Sequence, residues 1–547
     1  MELSTFVRRA SLFFFVLVCL LYLYGLGRVP FIGPDEPRYA EVAREMWLRG
    51  DVVSPTLGGH LWFEKPALLY WMMMACFEMF GVTEWAARLG PACAGLLTIL
   101  CVFWVGSRVE DARDNREELT GLALCGSAAL ASSLGLIIFA RGASFDVIVT
   151  MTTTLALACF FVAETEIDER KRRWLLAGFY AATGASLLAK GLIGIVLPYA
   201  IVFVYYLLRR AWPERQTRVS LVWGTLLAML VSSVWYAPVL WQHGGYFVDQ
   251  FFIQHHFARY LSDKYHHSQP FYFYIPVTLA LCVPWSLFLV WALMPAPRSN
   301  HHAPTSASKL RVFALAWLIV PLLFFSFSSS KLPGYILPAL PAAALLIGER
   351  LLSYLRGEAT GIIIMRVTGA LLFLLTISGV IFATRADYLS LARALALALP
   401  LIAASIVALV WTHKRELCAA LLVCAAFTTT ALTITYANNS IAQRESIREL
   451  LQQAAQQGYA ATPVLQLHTV ERSAEFYAAG RIDYNEDGSP LKLEGVAPLL
   501  EVARRKGGTA LVIVPVEYVN QLTGYAPLET KIIGDNGGIA LVAARAY

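Results

Sequence analysis

The chain has 547 residues, of which 57% are hydrophobic and only 15% charged, and its mean hydropathy is +0.57. Ordinary soluble domains carry about one-quarter charged residues, so a soluble globular class is excluded. The net charge of +6 sits in short basic clusters between apolar runs, a pattern that reports membrane topology and argues against a nucleic-acid partner.

In chain order, Arg8 and Arg9 precede an apolar run to Leu26 with no small-residue cleavage site after it, which reads as an uncleaved first helix. Roughly fourteen apolar segments follow one another, near 10–28, 66–80, 88–107, 119–140, 146–164, 174–189, 191–208, 219–241, 271–294, 311–327, 333–352, 362–384, 389–411 and 416–437. They are expected to be helices, because lipid satisfies no backbone hydrogen bond. Placing "ERKRRW", "RRAWPERQTR", 298–311, "ERLLSYLRGE" and "THKRE" in the cytoplasm sets the orientation of the spans. The N-terminal arginines agree only if one early segment does not cross. The run 66–80 is the short one, nearer a re-entrant or interfacial length. About thirteen crossings remain, with 438–547 outside.

Within that frame the transmembrane domain is expected over 1–437, with a first outer loop near 29–87 and a large one near 242–270. Residues 438–547 are polar and cysteine-free. "SIRELLQQAAQQGY" and "LLEVARRKG" read there as amphipathic helices, and "PVLQLH", "ALVIVPV" and "GIALVAARA" as buried strands. That makes a small soluble α/β domain without a visible catalytic motif. All nine cysteines lie in or beside apolar segments, and no disulfide framework or cysteine metal site is read from them.

The outer loops gather the chemistry. The first gives Asp35, Glu36, Arg38, Tyr39, His60, Glu64 and Lys65; later ones give Arg141 and Asp146, Lys190, then His255, His256, Arg259, His266 and His267, and finally Lys331 and Tyr335. Charges at membrane level are costly, so their collection on one face is a functional signal. Each also has a structural reading. Lysine or arginine at a helix end is commonly an interfacial anchor. Asp35 ahead of Pro37, and Asp146 near Ser144, fit helix starts. The paired histidines are ordinary surface-loop residues unless something binds them.

Several stretches, in order, carry a resemblance: "GPDEPRYAEVAREM", "WFEKPALLYW", "GVTEWAARL", "FARGASFDVIVT", "LLAKGLIGIVLP", "HHFARY", "HHSQPFYFYIP" and "SSSKLPGYILPALPA". Together they resemble the polyprenyl-phosphate-dependent glycosyltransferases of the GT-C superfamily. More narrowly, they are similar to the bacterial group that moves 4-amino-4-deoxy-L-arabinose onto lipid A, a group related to the protein O-mannosyltransferases. The resemblance implies a polytopic α-helical enzyme of the inner membrane with a periplasmic α/β domain. The implied donor is a sugar on undecaprenyl phosphate, the implied acceptor a lipid A phosphate, and transfer inverts the anomeric carbon. Resistance to cationic peptides would follow from that modification. It places Asp35 at the reaction centre with Glu36 beside it, and Asp146 as a second acid. Arg38, Lys65 and Tyr39 are then expected at the donor phosphate, with Lys190, Lys331, Arg141 and Tyr335 behind them. Arginine suits bidentate phosphate binding and lysine a point charge.

A hydroxyl acceptor needs a general base, whereas an acceptor phosphate is already anionic and leaves Asp35 to orient the donor or hold the sugar amine. Glu64 with His256 or His267 has the chemistry of a zinc site, but a monophosphate-linked donor does not require a metal. No cofactor is therefore expected, and the protein is expected to act as a monomer. Two rivals remain at this point. One is a related transferase acting on a protein hydroxyl or another lipid. The other is a lipid transporter, for which inverted repeats and helices broken at mid-membrane would be the mark.

Overall fold

A computed structural model describes residues 2–111, 121–258, 269–294, 306–437 and 443–546. The chain forms two compact units. The first comprises Met1–Tyr24, Glu64–Leu69 and Leu89–Thr433; the second comprises Gly25–Phe63, Tyr70–Arg88 and Ile434–Tyr547. The division is therefore not the sequential one expected at residue 437, since most of the first loop region falls in the same unit as the C-terminal segment.

The first unit is helical. Among the described residues eight helices of the chain are long and apolar enough to cross a bilayer, or nine if the bent pair Gly121–Ala131 and Leu134–Ala140 counts as one span. About thirteen crossings were expected. Leu68–Phe80, Ile193–Arg209 and Phe271–Leu281 are apolar but short, and Glu169–Lys190 opens on the charges "ERKRR". The run at 66–80 yields a helix of 13 residues, about 20 Å long at 1.5 Å per residue, less than the roughly 30 Å hydrocarbon core. Phe145–Thr165 and Pro333–Arg356 are the central helices, with 83% of their apolar windows buried, against 22% for Ala359–Arg385, whose side chains are left to face lipid. Aromatic rings fill the middle: Phe161 stacks on Phe313 at 5.0 Å, and Phe160 and Tyr205 pack edge-on at 6.0 Å.

Two expected spans are broken, and the breaks satisfy each other. Gly121–Ala131 and Leu134–Ala140 meet at 61°, and Tyr274–Leu281 ends before Pro284, after which Ser286–Leu293 begins. A break within lipid leaves backbone groups without partners. Here the amide of Leu134 donates to the carbonyl of Val283 at 2.9 Å, and Trp285 Nε1 donates to Ser132 Oγ at 2.8 Å. Gly135 permits the approach, because a Cβ there would lie 2.7 Å from Leu281 Cβ.

The second unit holds a hairpin of β1 (Thr56–Leu57) and β2 (His60–Leu61) and a five-stranded sheet. The sheet strands are β3 (Val464–Leu467), β4 (Lys492–Leu493), β5 (Thr509–Pro515), β6 (Leu528–Asp535) and β7 (Ile539–Ala546), in the order β4-β3-β5-β7-β6. β3 runs parallel to β4 and β5, while β7 is antiparallel to β5 and β6. Alternation along β5 divides the core. Val512 and Val514 join Leu499, Leu500 and Ala503 on one face, and Leu511 and Ile513 join Ile447, Leu450 and Leu451 on the other. The expected strands at 463–468, 510–516 and 538–546 all form, and so do helices at Arg448–Ala454 and Val496–Arg505. β6 was not expected. It is a largely exposed edge strand whose burial alternates poorly, so its sequence lacks the period-two signal.

Candidate active site

In the first unit Phe145–Thr165 and Glu169–Lys190 have 21 and 22 residues and are joined by a three-residue turn whose Asp168 caps the second helix. An antiparallel pair of matched length returns to its starting level, so Asp146 in the first turn of one helix meets Lys190 in the last turn of the other. Ser144 Oγ accepts from the Asp146 amide at 3.1 Å. Each charge lies where the helix macrodipole favours it. Gly191 follows Lys190 with φ +71, a conformation that favours glycine. Lys190 Nζ donates to Asp146 Oδ1. The two side chains are 10% and 18% exposed, so the pair is largely out of water, where a charge without its partner is expensive.

The 3-10 turn Pro333–Ala339, which opens the helix Pro333–Arg356, closes over this pair. Gly334 touches the carboxylate, for a Cβ there would stand 2.1 Å from Asp146 Oδ2 and 2.7 Å from the Phe139 ring. The Tyr335 ring lies 4.5 Å from Lys190 Nζ, within cation–π range. Tyr274, which sequence reading did not single out although "HHSQPFYFYIP" contains it, donates its hydroxyl hydrogen to the Leu332 carbonyl at 3.2 Å and holds the start of that turn. Asp146, Lys190 and Tyr335 are thus brought together.

Three other expected phosphate ligands of this unit have protein partners. Arg141 donates to the carbonyls of Leu21 at 2.6 Å, Tyr22 at 3.2 Å and Tyr24 at 2.6 Å. It ties off the carboxyl end of the helix Glu2–Leu23, where carbonyls otherwise lack donors. Lys331 is buried and donates to the Ser328 carbonyl at 2.6 Å. Lys65 pairs with Glu64 at 3.0 Å, which also bears on the expected metal ligand Glu64. Of its partners, His267 lies outside the described residues, as do Arg259, His266 and the side chain of His256. Among the described residues no group of three or more His, Cys, Asp or Glu side chains is gathered as a metal would require.

In the second unit Asp35 and Glu36 open the helix Asp35–Arg49, which begins two residues ahead of Pro37. Neighbours in sequence, they have different surroundings. Asp35 is 55% exposed and accepts from Arg38 Nη2 at 3.2 Å. Arg38 also donates to the Pro34 carbonyl at 3.3 Å and lies over the Trp62 ring at 5.5 Å. Glu36 turns inward and accepts from Arg88 with both oxygens, Oε1 at 3.0 Å and Oε2 at 2.7 Å. Arg88 further donates to the carbonyls of Leu26, Val29 and Pro30 at 2.8, 2.6 and 3.0 Å. Glu36, expected beside the reaction, is therefore half of a clamp that fixes the segment leading into the helix. Arg88 stands in the quoted "GVTEWAARL", yet an arginine near a helix start gives no sign of five acceptors. Tyr39 is buried at 6% exposure.

Residues 7–249 match the family model described as dolichyl-phosphate-mannose-protein mannosyltransferase. The undecaprenyl phosphate-alpha-4-amino-4-deoxy-L-arabinose arabinosyl transferase of Pseudomonas aeruginosa strain UCBPP-PA14 is 35% identical over 341 residues, covering 62% of this chain and 58% of that protein. The protein of the same name from Aeromonas salmonicida strain A449 is 32% identical over 344 residues, covering 62% and 59%. The chain thus spans just under three-fifths of the length of these relatives (58% and 59%). The crystal structure of ArnT from Cupriavidus metallidurans bound to undecaprenyl phosphate superposes with a TM-score of 0.77 at 24% identity over 98% of both chains. The expected helical architecture with a small C-terminal sheet is thereby shown, since the chain shares the fold of that ArnT.

Proposed function

We propose that the protein is an inverting glycosyltransferase that moves 4-amino-4-deoxy-L-arabinose from undecaprenyl phosphate to a phosphate of lipid A. The transfer takes place at the periplasmic face of the inner membrane, and residues 438–547 stand on that side. The names of the relatives support the substrates. The observation that carries the reading is the Asp146–Lys190 pair beneath Gly334 and Tyr335.

Lys190 is a point charge on a flexible stem, paired with a carboxylate and resting on an aromatic face. A lipid phosphate can draw it from Asp146 without stripping an otherwise satisfied network. The acceptor phosphate oxygen attacks the anomeric carbon from the face opposite the leaving group. The bond from that carbon to the undecaprenyl phosphate oxygen breaks, and its electron pair stays on the departing phosphate, where Lys190 stabilises the charge. Aimed charge of this kind is usually the largest catalytic contribution, about 3–4 kcal/mol per donor. Asp146, relieved of Lys190, can take the cationic amine of the sugar. Because the acceptor is already an anion, the step needs no proton removed. A metal is not needed either, since the leaving group is a monophosphate. By the resemblance, Asp35 is the acid that acts on the reacting sugar, and its exposure leaves it available.

The family model's own name favours one other reading, transfer to a protein hydroxyl. That acceptor would need a general base, a role that would fall to Asp35. Purified protein in liposomes with the aminoarabinose donor and lipid A decides between them by mass spectrometry. Gain of one aminoarabinose on a lipid A phosphate supports the proposal. Unmodified lipid A beside a glycosylated protein acceptor refutes it.

A further inference from the structure

The helical hairpin that carries Asp146 and Lys190 has a second feature at its other end. A cavity of about 780 Å³ lies between Glu169–Lys190, Ile193–Arg209 and Arg215–Phe247. Phe160, on its wall, is about four turns, roughly 21 Å, along the helix from Asp146, so the cavity is not part of the site described above. Its size falls in the usual range for small-molecule sites, and Phe179, Phe203 and Trp212 make its surface apolar. Phe203 and Trp212 are 68% and 89% exposed, which leaves the cavity open on the flank that lipid covers.

The hydroxyls on the wall are spent. Tyr180 Oη is bonded to Ser220 Oγ at 3.0 Å, Tyr199 Oη to Thr225 Oγ1 at 2.8 Å and Tyr206 Oη to Glu164 at 2.5 Å. The tyrosines therefore offer ring faces and no free polar group, which argues against a sugar or another hydrogen-bonding ligand. The guanidinium at the mouth differs. Arg209 is held by Glu164 at 3.5 Å and by Tyr205 Oη at 3.0 Å, and Arg172 by Glu214. Arg210 has no ion pair among the described residues, and it lines the cavity. It ends the helix Ile193–Arg209 with φ +50 and ψ +39, its amide donating to the Tyr206 and Leu207 carbonyls. Glycine or asparagine ordinarily fills that position. An arginine there is explained by its side chain, not by the backbone.

A hydrocarbon slot with one uncompensated cation at its mouth is complementary to a lipid with an anionic headgroup. We propose that this cavity binds an anionic glycerophospholipid of the surrounding bilayer, one acyl chain lying among Phe160, Phe179 and Phe203 and the headgroup phosphate on Arg210. Basic pockets between membrane helices on the cytoplasmic side take such headgroups, and "RRAWPERQTR" is one of the clusters that orient the spans.

The test places the full chain in nanodiscs of phosphatidylcholine and phosphatidylglycerol in equal amounts, with undecaprenyl phosphate as a minor component. After transfer to mild detergent, native mass spectrometry reads the retained lipid. Wild type should retain one phosphatidylglycerol with about a fivefold preference over phosphatidylcholine, the preference conferred by one basic side chain near an anionic surface. R210Q, at an exposed position, should lose that preference. A200F, which fills the slot, should lose retention of both phospholipids. Equal retention of the two by wild type, an unchanged preference in R210Q, or the loss in A200F of undecaprenyl phosphate or detergent in place of phospholipid would each overturn the proposal. If A200F does not fold, R210Q and the wild-type preference decide alone.

Discussion

Glu36–Arg88 and Asp146–Lys190 are both ion pairs withdrawn from water, one in each unit. The side chains of Glu36 and Arg88 are 17% and 3% exposed, and those of Asp146 and Lys190 are 18% and 10%. Their exposure is alike; their bonding is not. All five guanidinium N–H groups of Arg88 are spent on Glu36 and three carbonyls. An incoming phosphate would have to break several bonds to reach it, so the pair is a fixture of the fold. Lys190 spends one hydrogen bond on Asp146 and rests against the Tyr335 ring, and an ammonium has three donors. A ligand anion can recruit it at low cost. Burial of a charge marks a place where something is held, and the count of bonds made by the cation separates a structural holding from a chemical one.

The largest effects should fall on transfer. Lys190→Met should lower it roughly 100- to 1000-fold, the usual cost of one lost donor to developing charge. In Asp146→Asn/Lys190→Met, thermal stability should recover towards wild type while transfer does not, because the leftover buried charge is gone but the donor is still missing. Asp35→Asn, at an exposed carboxylate, should abolish transfer without moving the melting point. If that variant keeps wild-type turnover, Asp35 is no more than a helix-start acid and only the Asp146 pair remains as chemistry.

The second expected effect is on stability. Arg88→Met should cost about 3–5 kcal/mol, as breaking a buried pair does, read as a drop in denaturant midpoint for the detergent-solubilised protein. Adding Glu36→Gln should not restore it, since the carbonyls of Leu26, Val29 and Pro30 still lack their donor. Full rescue by the double variant would make this pair like the other one and erase the distinction.

A smaller effect is expected at Gly334. In Gly334→Ala the new Cβ would lie 2.1 Å from Asp146 Oδ2, so the carboxylate or the turn that carries Gly334 must shift. Misplacement of about 1 Å at a reacting centre costs up to 100-fold. Transfer should fall about tenfold or more, with a smaller loss of melting point, because the Asp146 carboxylate and the Phe139 ring must both give way. Unchanged transfer would mean that this turn does not register Asp146.

The two pairs were unequally legible in the sequence. Asp146 and Lys190 were both singled out, and two apolar runs of matched length joined by a short charged turn do return to one level. The sequence could not supply Gly334 against the carboxylate, because a tight approach leaves no period. Arg141 was expected at a phosphate, and it donates to three carbonyls at a helix end. Position near the membrane face is shared by anchors, caps and ligands, and only the acceptors distinguish them. Arg88 was invisible for the same reason. The apolar runs at 119–140 and 271–294 read as continuous spans because hydropathy ignores a break whose backbone groups are satisfied by another break. In the C-terminal segment the inner strands announced themselves by alternation, while β6, lying at an edge, did not.

A separate effect, read against pH, concerns a third buried pair, Glu41 with Arg44 in the second unit. Glu41 is 2% exposed. Burial pushes its carboxyl up from the ordinary 4.5 to about 8, against the opposing pull of Arg44. Below about pH 4.5 the group is protonated whether the chain is folded or unfolded, and it exerts no pH-dependent penalty. Between about 4.5 and 8 the unfolded chain has released the proton and the folded chain still holds it. Stability then falls as pH rises, by up to about 1.4 kcal/mol per pH unit for one proton. Above about 8 the penalty is complete and flat. The wild-type denaturant midpoint should therefore be lower at pH 7.5 than at pH 5.5, and Glu41→Gln should reduce that difference. The Arg88 variant, which leaves Glu41 in place, should keep it. If Glu41→Gln leaves the difference unchanged, Arg44 holds Glu41 ionised throughout, and the pair is another fixed clamp rather than a carboxyl that folding protonates.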